Sequence, residues 1–251
     1  MASWQEKEIY GRSTGRDFLR LPGRVWPGTS RRIGRRFVDE LLARGAEKVY
    51  SAARSPEKIT TSDPRVSPLY LDLLDEKSIT DATAVAQDVT LLVNNAGIAT
   101  GANLLTDDLD DVRRELETHL FGTLRAFAPV LATHGGGAIV NVLSVLSWIA
   151  TPQGSGSYSV AKAAEWNMTN AVRVELAGQK TLVQGVHLGA ADTDMMAGTD
   201  APKIDPVDVA RASLDGVQSN SLEVLVDDPS RFVKAALAGD PAQLYGPAPA
   251  R

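Results

Sequence analysis

A doubly wound α/β domain, its parallel sheet flanked by helices, is the fold class this sequence predicts. Strand and helix signals alternate along nearly the whole chain, the pattern of βα units rather than of an all-β or all-helical protein. Thr90-Leu91-Leu92-Val93 is an uninterrupted apolar run, the kind of strand buried on both faces within a parallel sheet. A length of 251 residues, with no repeat or linker, suits one large domain of this kind.

Composition narrows the function classes. With 43% hydrophobic and 23% charged residues the chain is ordinary for a soluble globular protein. A net charge of −5 gives no general attraction to nucleic acid or an anionic membrane. Cysteine is absent, which removes disulfides, thiol nucleophiles and cysteine-bound zinc. His119, His134 and His187 lie far apart without metal-ligand spacing, so no metal site is expected. No run approaches the ~18 apolar residues that span a bilayer, and Met1 to Glu8 lacks the apolar core of a secretory signal. The default expectation is a cytoplasmic protein.

The first 23 residues differ from the rest. Eight arginines fall within residues 1–36, and Gly11, Gly15, Pro22 and Gly23 interrupt any helical period. They read as an irregular arm preceding a domain over 24–251, which opens on a short strand near Arg24-Val25-Trp26. Apolar residues at 33, 37, 41 and 42 predict a helix from Ile33 to Arg44, ended by Gly45. Lys48 to Ala53 and Val66 to Leu71 read as strands, and Ser78 to Ala86 as a helix. After the apolar strand a long helix is expected over Leu109 to Ala132. A strand over Gly137 to Val142 and a helix over Ser157 to Ala177 follow, then a strand over Val183 to Leu188. Pro206 to Val217 reads as a helix and Glu223 to Val226 as a last strand. Together these make one Rossmann-like domain.

In such sheets ligands bind beyond the carboxyl ends of the strands, and the segments there carry the chemistry. Tyr158 and Lys162, four residues apart on a predicted helix, project from one face. An ammonium beside a phenol favours the phenolate, making the tyrosine a better proton carrier near neutral pH. Asn94-Asn95-Ala96-Gly97 ends the apolar strand. Its small residues let backbone approach a ligand, and its asparagines can tie neighbouring strands together. Leu143-Ser144-Val145-Leu146-Ser147 ends the next strand, and Asp192-Thr193-Asp194-Met195 the one after.

The order Asn-Asn-Ala-Gly, serine after the next strand, Tyr-x-x-x-Lys, then Asp-Thr-Asp-Met resembles the short-chain dehydrogenase/reductase family over about residues 28 to 245. The resemblance implies hydride transfer between a nicotinamide and a carbonyl or alcohol carbon. By that likeness Tyr158 is general acid/base, and Lys162 lowers its pKa and holds the nicotinamide ribose. Ser144 polarises the substrate oxygen, with Ser147 a less well placed alternative. His119 stands where the family has an asparagine that relays the proton through water. Imidazole can do that chemistry, or it can simply fill the space.

The family's first glycine-rich loop corresponds to Pro27-Gly28-Thr29-Ser30-Arg31-Arg32-Ile33-Gly34. Gly28 and Gly34 keep the outer glycines, with Ile33 beside them. Arg32 replaces the middle glycine, where a left-handed backbone would cost roughly 1–2 kcal/mol; its charge offers another route to the phosphates. Pro27 interrupts the preceding strand's ladder. Arg54, where NAD-preferring members carry an acid, and Arg31 favour NADP over NAD by their fit to a 2′-phosphate. Asp72 and Leu73 would meet the adenine, and Asn94, Ala96, Gly97 and Thr193 the rest of the cofactor. Trp148, Gln153, Met195 and Met196 would flank a pocket for a small to medium carbonyl or alcohol, with 193–205 as a mobile lid. A homodimer or homotetramer is implied by the family, its long helix and Tyr-bearing helix pairing across subunits. The rival reading is a catalytically impaired chain of the same fold, serving as a dinucleotide- or metabolite-binding protein or a partner subunit; Pro27, Arg32, the weak first strand and His119 motivate it.

Overall fold

A computed structural model describes residues 24–27, 32–122, 128–151 and 155–246; the expected arm over 1–23 lies outside them. Among the described residues seven strands form one parallel sheet in the order β3-β2-β1-β4-β5-β6-β7. They are β1 (Arg24–Pro27), β2 (Lys48–Ala53), β3 (Val66–Tyr70), β4 (Val89–Asn94), β5 (Ala138–Val142), β6 (Leu182–His187) and β7 (Glu223–Leu225). The helices are α1 (Arg32–Ala43), α2 (Glu76–Val85), α3 (Leu109–Leu116), α4 (Ala128–Thr133), α5 (Gly156–Glu175), α6 (Pro206–Gln218), α7 (Asp228–Ala236) and α8 (Ala242–Tyr245). Every strand predicted from sequence is present; α7 and α8 were not predicted. Asp227, accepting from the Ser230 amide, begins α7 with a capping box, a start signal that the sequence does contain.

Alternation of side chains across the sheet divides the core into two. Leu91, Val93, Val140 and Val186 pack with Phe37 and Leu41 of α1 and Val209 and Leu214 of α6. Leu92, Ile139 and Val183 face the other way, onto Ala82 of α2, Leu131 of α4 and Val172 of α5. Strands buried on both sides explain why Thr90 to Val93 shows no polar alternation.

β1 is better integrated than its composition predicts. Arg24 and Val25 pair with Lys48 and Val49, and β1 runs on beside β4 to the Pro27–Val93 pair. Pro27 is the last residue of the strand, where the missing N–H interrupts little of the ladder. Arg32 has entered α1, and positive φ among the described non-glycine residues is confined to Lys180 and Asn220. The left-handed cost anticipated at Arg32 is therefore not incurred.

The predicted long helix is also modified. α3 gives way at Glu117–Phe121 to a π-type turn rather than continuing to Ala132 as uniform α-helix. No helix among the described residues is long and apolar enough to cross a membrane.

Candidate active site

β1 leads outward through β2 to β3, and the chain then returns to place β4 on the other side of β1. This reversal opens a crevice beyond the ends of β1 and β4, where open α/β sheets hold ligands. Asn94 ends β4 there. Its amide donates to Asn141 Oδ1 at 2.8 Å, Asn141 donates to Thr169 Oγ1 at 2.8 Å, and Thr169 donates to the Glu165 carbonyl at 2.7 Å. This chain of polar groups fixes β4, β5 and α5 to one another and fulfils the strand-tying role expected of Asn94.

Beyond β5, Ser144 caps a short 3₁₀ turn (Val145–Ser147), accepting from the Leu146 amide at 3.1 Å. Ser147 Oγ accepts from the Ser144 amide at 3.3 Å, so Ser147 serves the loop, whereas the Ser144 hydroxyl lies close enough to Tyr158 to favour its phenolate. Small residues at 157, 159 and 161 let α5 lie close against its neighbours, and its buried face continues with Lys162, Glu165 and Thr169. Tyr158 is half-buried. Lys162 Nζ lies 5.8 Å from its ring centroid and donates to the Val142 carbonyl at 2.9 Å and to Glu165 Oε2 at 2.7 Å.

The π-type turn places His119 inside this group. Its ring packs edge-on against Tyr158 with centroids 5.5 Å apart. Nδ1 lies 3.5 Å from Glu165 Oε2, while Nε2 is 2.8 Å from the Ile98 carbonyl and 3.3 Å from the Ile98 amide. Gly97 makes room: a Cβ there would sit 2.5 Å from His119 Cε1. Its lack of a side chain thus serves the imidazole, a use the sequence did not suggest. One turn earlier, buried Glu115 accepts from the Thr100 hydroxyl at 2.7 Å and from its amide, anchoring the strand-end loop.

Burial adds a larger effect to the one expected of Lys162. Burial pushes the Tyr158 hydroxyl above its usual pKa; Lys162 and Ser144 pull it down, but Glu165 and Glu115 add to the rise. Lys162 acts in the expected direction, and burial outweighs it. Burial alone would discharge Lys162, yet the Glu165 charge leaves it above the ordinary lysine range. Burial likewise opposes ionisation of Glu165, and Lys162 with His119 outweighs it. The pair is an ammonium and a carboxylate.

The expected cofactor residues are distributed along the crevice rim. Gly34 is buried in the first turn of α1, Ile33 is half-buried, and Arg54 is exposed at the end of β2. Asp72 Oδ1 accepts from the Leu74 amide at 3.0 Å, so the carboxylate shapes its own turn. Leu73 packs against Gly122, where any Cβ would meet it at 2.7 Å. Ala96 is exposed, and Thr193 begins a 3₁₀ turn (Asp194–Met196). Gly28, Arg31 and Gln153 lie outside the described residues. Segment 193–203 is tied at its base by a bridge between Ala191 and Ile204. An open cavity of about 990 Å³ lies between α1, the turn after β2 and this segment, lined by Arg35, Ser55, Lys58, Asp192, Asp194 and Lys203. Tyr158 and Lys162 do not line it, so the proton-handling group sits apart. A nicotinamide nucleotide fits the donor set: an ammonium has three N–H donors, and Val142 and Glu165 take two from Lys162, leaving a third for a ribose hydroxyl.

Sequence reasoning missed Glu165, Glu115 and His187. An acid three residues after Lys162 on the same helical face was the available signal for Glu165. His187 is buried, stacked on Trp148 with centroids 3.7 Å apart, and its Nδ1 lies 3.1 Å from the Ser144 carbonyl. Trp148, expected beside a substrate, is engaged in this stack.

The profile of short chain dehydrogenases matches residues 26–203. This chain belongs to that family. A crystal structure of a short chain dehydrogenase from Burkholderia cenocepacia J2315 in complex with NADP is 34% identical. It superposes with a TM-score of 0.86 over 92% of this chain and 99% of its own. A 3-oxoacyl-[acyl-carrier-protein] reductase of Synechocystis is 28% identical over 221 residues, 81% of this chain and 88% of the relative. A short chain dehydrogenase of Monascus purpureus is 34% identical over 140 residues, 53% of this chain and 48% of the relative, so the match spans about half the length of that protein. These relatives are named as dehydrogenases and reductases, and none favours the impaired, binding-only reading.

Proposed function

We propose that this chain is an NADP-dependent oxidoreductase that transfers hydride between the nicotinamide and a small to medium carbonyl or alcohol. The observation that carries this reading is the convergence of Ser144, Tyr158 and Lys162 beside the turn after β4, in a chain of the short-chain dehydrogenase family. When bound, the nicotinamide supplies or accepts the hydride. The chain's own residues handle the oxygen and its proton. Ser144 donates to the substrate oxygen, and Tyr158 gives that oxygen a proton in reduction or takes one in oxidation. Lys162 would hold the ribose with its third N–H. His119 supports Tyr158 through its ring and Glu165 through Nδ1.

NADP rather than NAD follows from Arg54, exposed at the end of β2 with no acid beside it in sequence. The NADP held by the Burkholderia relative is consistent with this choice. Gly28, Arg31, Ile33 and Gly34 would cradle the phosphates at the start of α1. Asp72 and Leu73 would meet the adenine, and Asn94, Ala96, Gly97 and Thr193 the ribose and nicotinamide. A domain over 24–251 after an arm at 1–23, a cytoplasmic location and a homodimer or homotetramer complete the proposal.

Titration with NADPH and NADH, followed by nicotinamide fluorescence, tests it. Tighter binding of NADPH, with its oxidation in the presence of a carbonyl panel, is expected. Binding of neither nucleotide would sink the proposal.

A further inference from the structure

A carboxylate lies beside the lysine in this centre. The Glu165 side chain is 3% exposed and reaches both the Lys162 ammonium, at 2.7 Å, and His119 Nδ1, at 3.5 Å. We propose that Glu165 is a positioning residue of the hydride-transfer centre, a bridge between Lys162 and His119 that fixes the ammonium and favours Tyr158 as proton donor over proton acceptor. The inference rests on the oxidoreductase function proposed above and adds a residue and a direction to it.

Three observations support the bridge. Glu165 lies one helical turn after Lys162, so the two side chains share the buried face of α5. Its backbone carbonyl is held by Thr169, at the end of the polar chain from Asn94, which sets the register of that helical turn. His119 has a partner for Nε2 in either role, since the Ile98 amide can donate to it and the Ile98 carbonyl can accept from it. The Nδ1 edge of the ring faces Glu165 Oε2 at 3.5 Å.

A lone ammonium would favour the Tyr158 phenolate, whereas an ammonium paired with a carboxylate has much of its field cancelled. The charged and titratable groups facing Tyr158 are Lys162 and Glu165 from its own helix, Glu115 from α3 and His119 from the π-type turn, with the Ser144 hydroxyl beyond β5. Burial opposes the phenolate most, and both carboxylates add to that opposition. Tyr158 then keeps its proton through neutral pH, the state needed to protonate a carbonyl oxygen as hydride arrives at carbon.

The test is the ionisation of Tyr158, read as the ultraviolet difference titration between each protein and its Tyr158→Phe counterpart, which cancels the other tyrosines. Glu165→Gln should lower the Tyr158 midpoint by about one pH unit or more and move the alkaline limb of carbonyl reduction down with it. Glu165→Asp should leave both closer to the native values. A midpoint in Glu165→Gln that is unmoved, or higher, overturns the proposal. Should that variant not fold, Glu165→Gln with Lys162→Met removes the pair as a neutral unit. Its Tyr158 midpoint should then match the native one, and a midpoint raised by more than about one unit means that Lys162 acts uncompensated and overturns the bridge. The titration needs no turnover. A shifted midpoint without turnover of any carbonyl would therefore sink the function while sparing the bridge, and turnover with an unmoved midpoint would do the reverse.

Discussion

The centre around Tyr158 and the rim around Arg54 stand at the same edge of the sheet, yet they are built differently. Around Tyr158 the polar groups are buried and linked: Asn94 to Asn141 to Thr169, Lys162 to Glu165, His119 to Ile98. At the rim Arg54 and Ala96 are exposed, and Asp72 turns its carboxylate onto its own loop. A buried polar group needs a partner in the fold, so the centre's geometry is fixed before any ligand arrives. The rim leaves its groups to be organised by what binds. The centre should therefore govern chemical rate and stability, and the rim affinity.

The largest effect tests the first half of that contrast. Tyr158→Phe removes the proton donor and keeps the ring that His119 packs against. Turnover should fall by about 10²–10⁴-fold while NADPH affinity, measured by fluorescence titration, stays near native. An equal loss of affinity would mean that the two regions are not separable.

Behind Ser144, the buried His187 makes a prediction about acid stability. Burial lowers its pKa from 6.5 to about 4; the Ser144 carbonyl and Glu223 oppose that fall, and Lys234 and Lys162 assist it. Between those values the unfolded chain binds a proton that the native one refuses. Stability should therefore rise with pH across the window, with the His187 contribution complete above 6.5 and lost as pH falls toward 4. The gap corresponds to about 3 kcal/mol. Urea midpoints taken from about pH 7 to about pH 4.5 should drop steeply in the native protein and less in His187→Gln. Parallel slopes would remove His187 from the account.

Gly97→Ala probes the packing of the centre. Its Cβ, 2.5 Å from His119 Cε1, forces the imidazole or the loop to move. A loss of about 1–3 kcal/mol is expected, largely recovered when His119→Ala is added, because the two changes share one space. Additive losses in a double-mutant cycle would show that the loop, not the ring, resists the methyl.

The same contrast explains what the sequence disclosed. The alternation of strands and helices and the Ser144, Tyr158 and Lys162 set were legible because periodicity, short strands and a four-residue spacing are local signals. Glu165 was not, since an acid on a helix usually faces solvent, and only the packing of α5 turned it inward. The π-type turn that delivers His119 was hidden within a run that reads as continuous helix. Pro27 and Arg32 misled in the other direction: composition counted against β1, but its place beside β4 and the entry of Arg32 into α1 accommodate both.

The smallest effect belongs to the rim. Arg54 is exposed, so any bond it makes to a 2′-phosphate is partly screened by water, and its contribution falls at the low end for a charge-assisted pair. Arg54→Ala should weaken NADPH about tenfold and leave NADH unchanged, with kcat at saturating NADPH near native. That pattern would be the mirror image of Tyr158→Phe, affinity without rate against rate without affinity. If NADH weakens in parallel, Arg54 contributes general attraction rather than recognition of the 2′-phosphate. The preference for NADP would then have to arise from another cation, of which Arg31 is the second candidate the sequence offers.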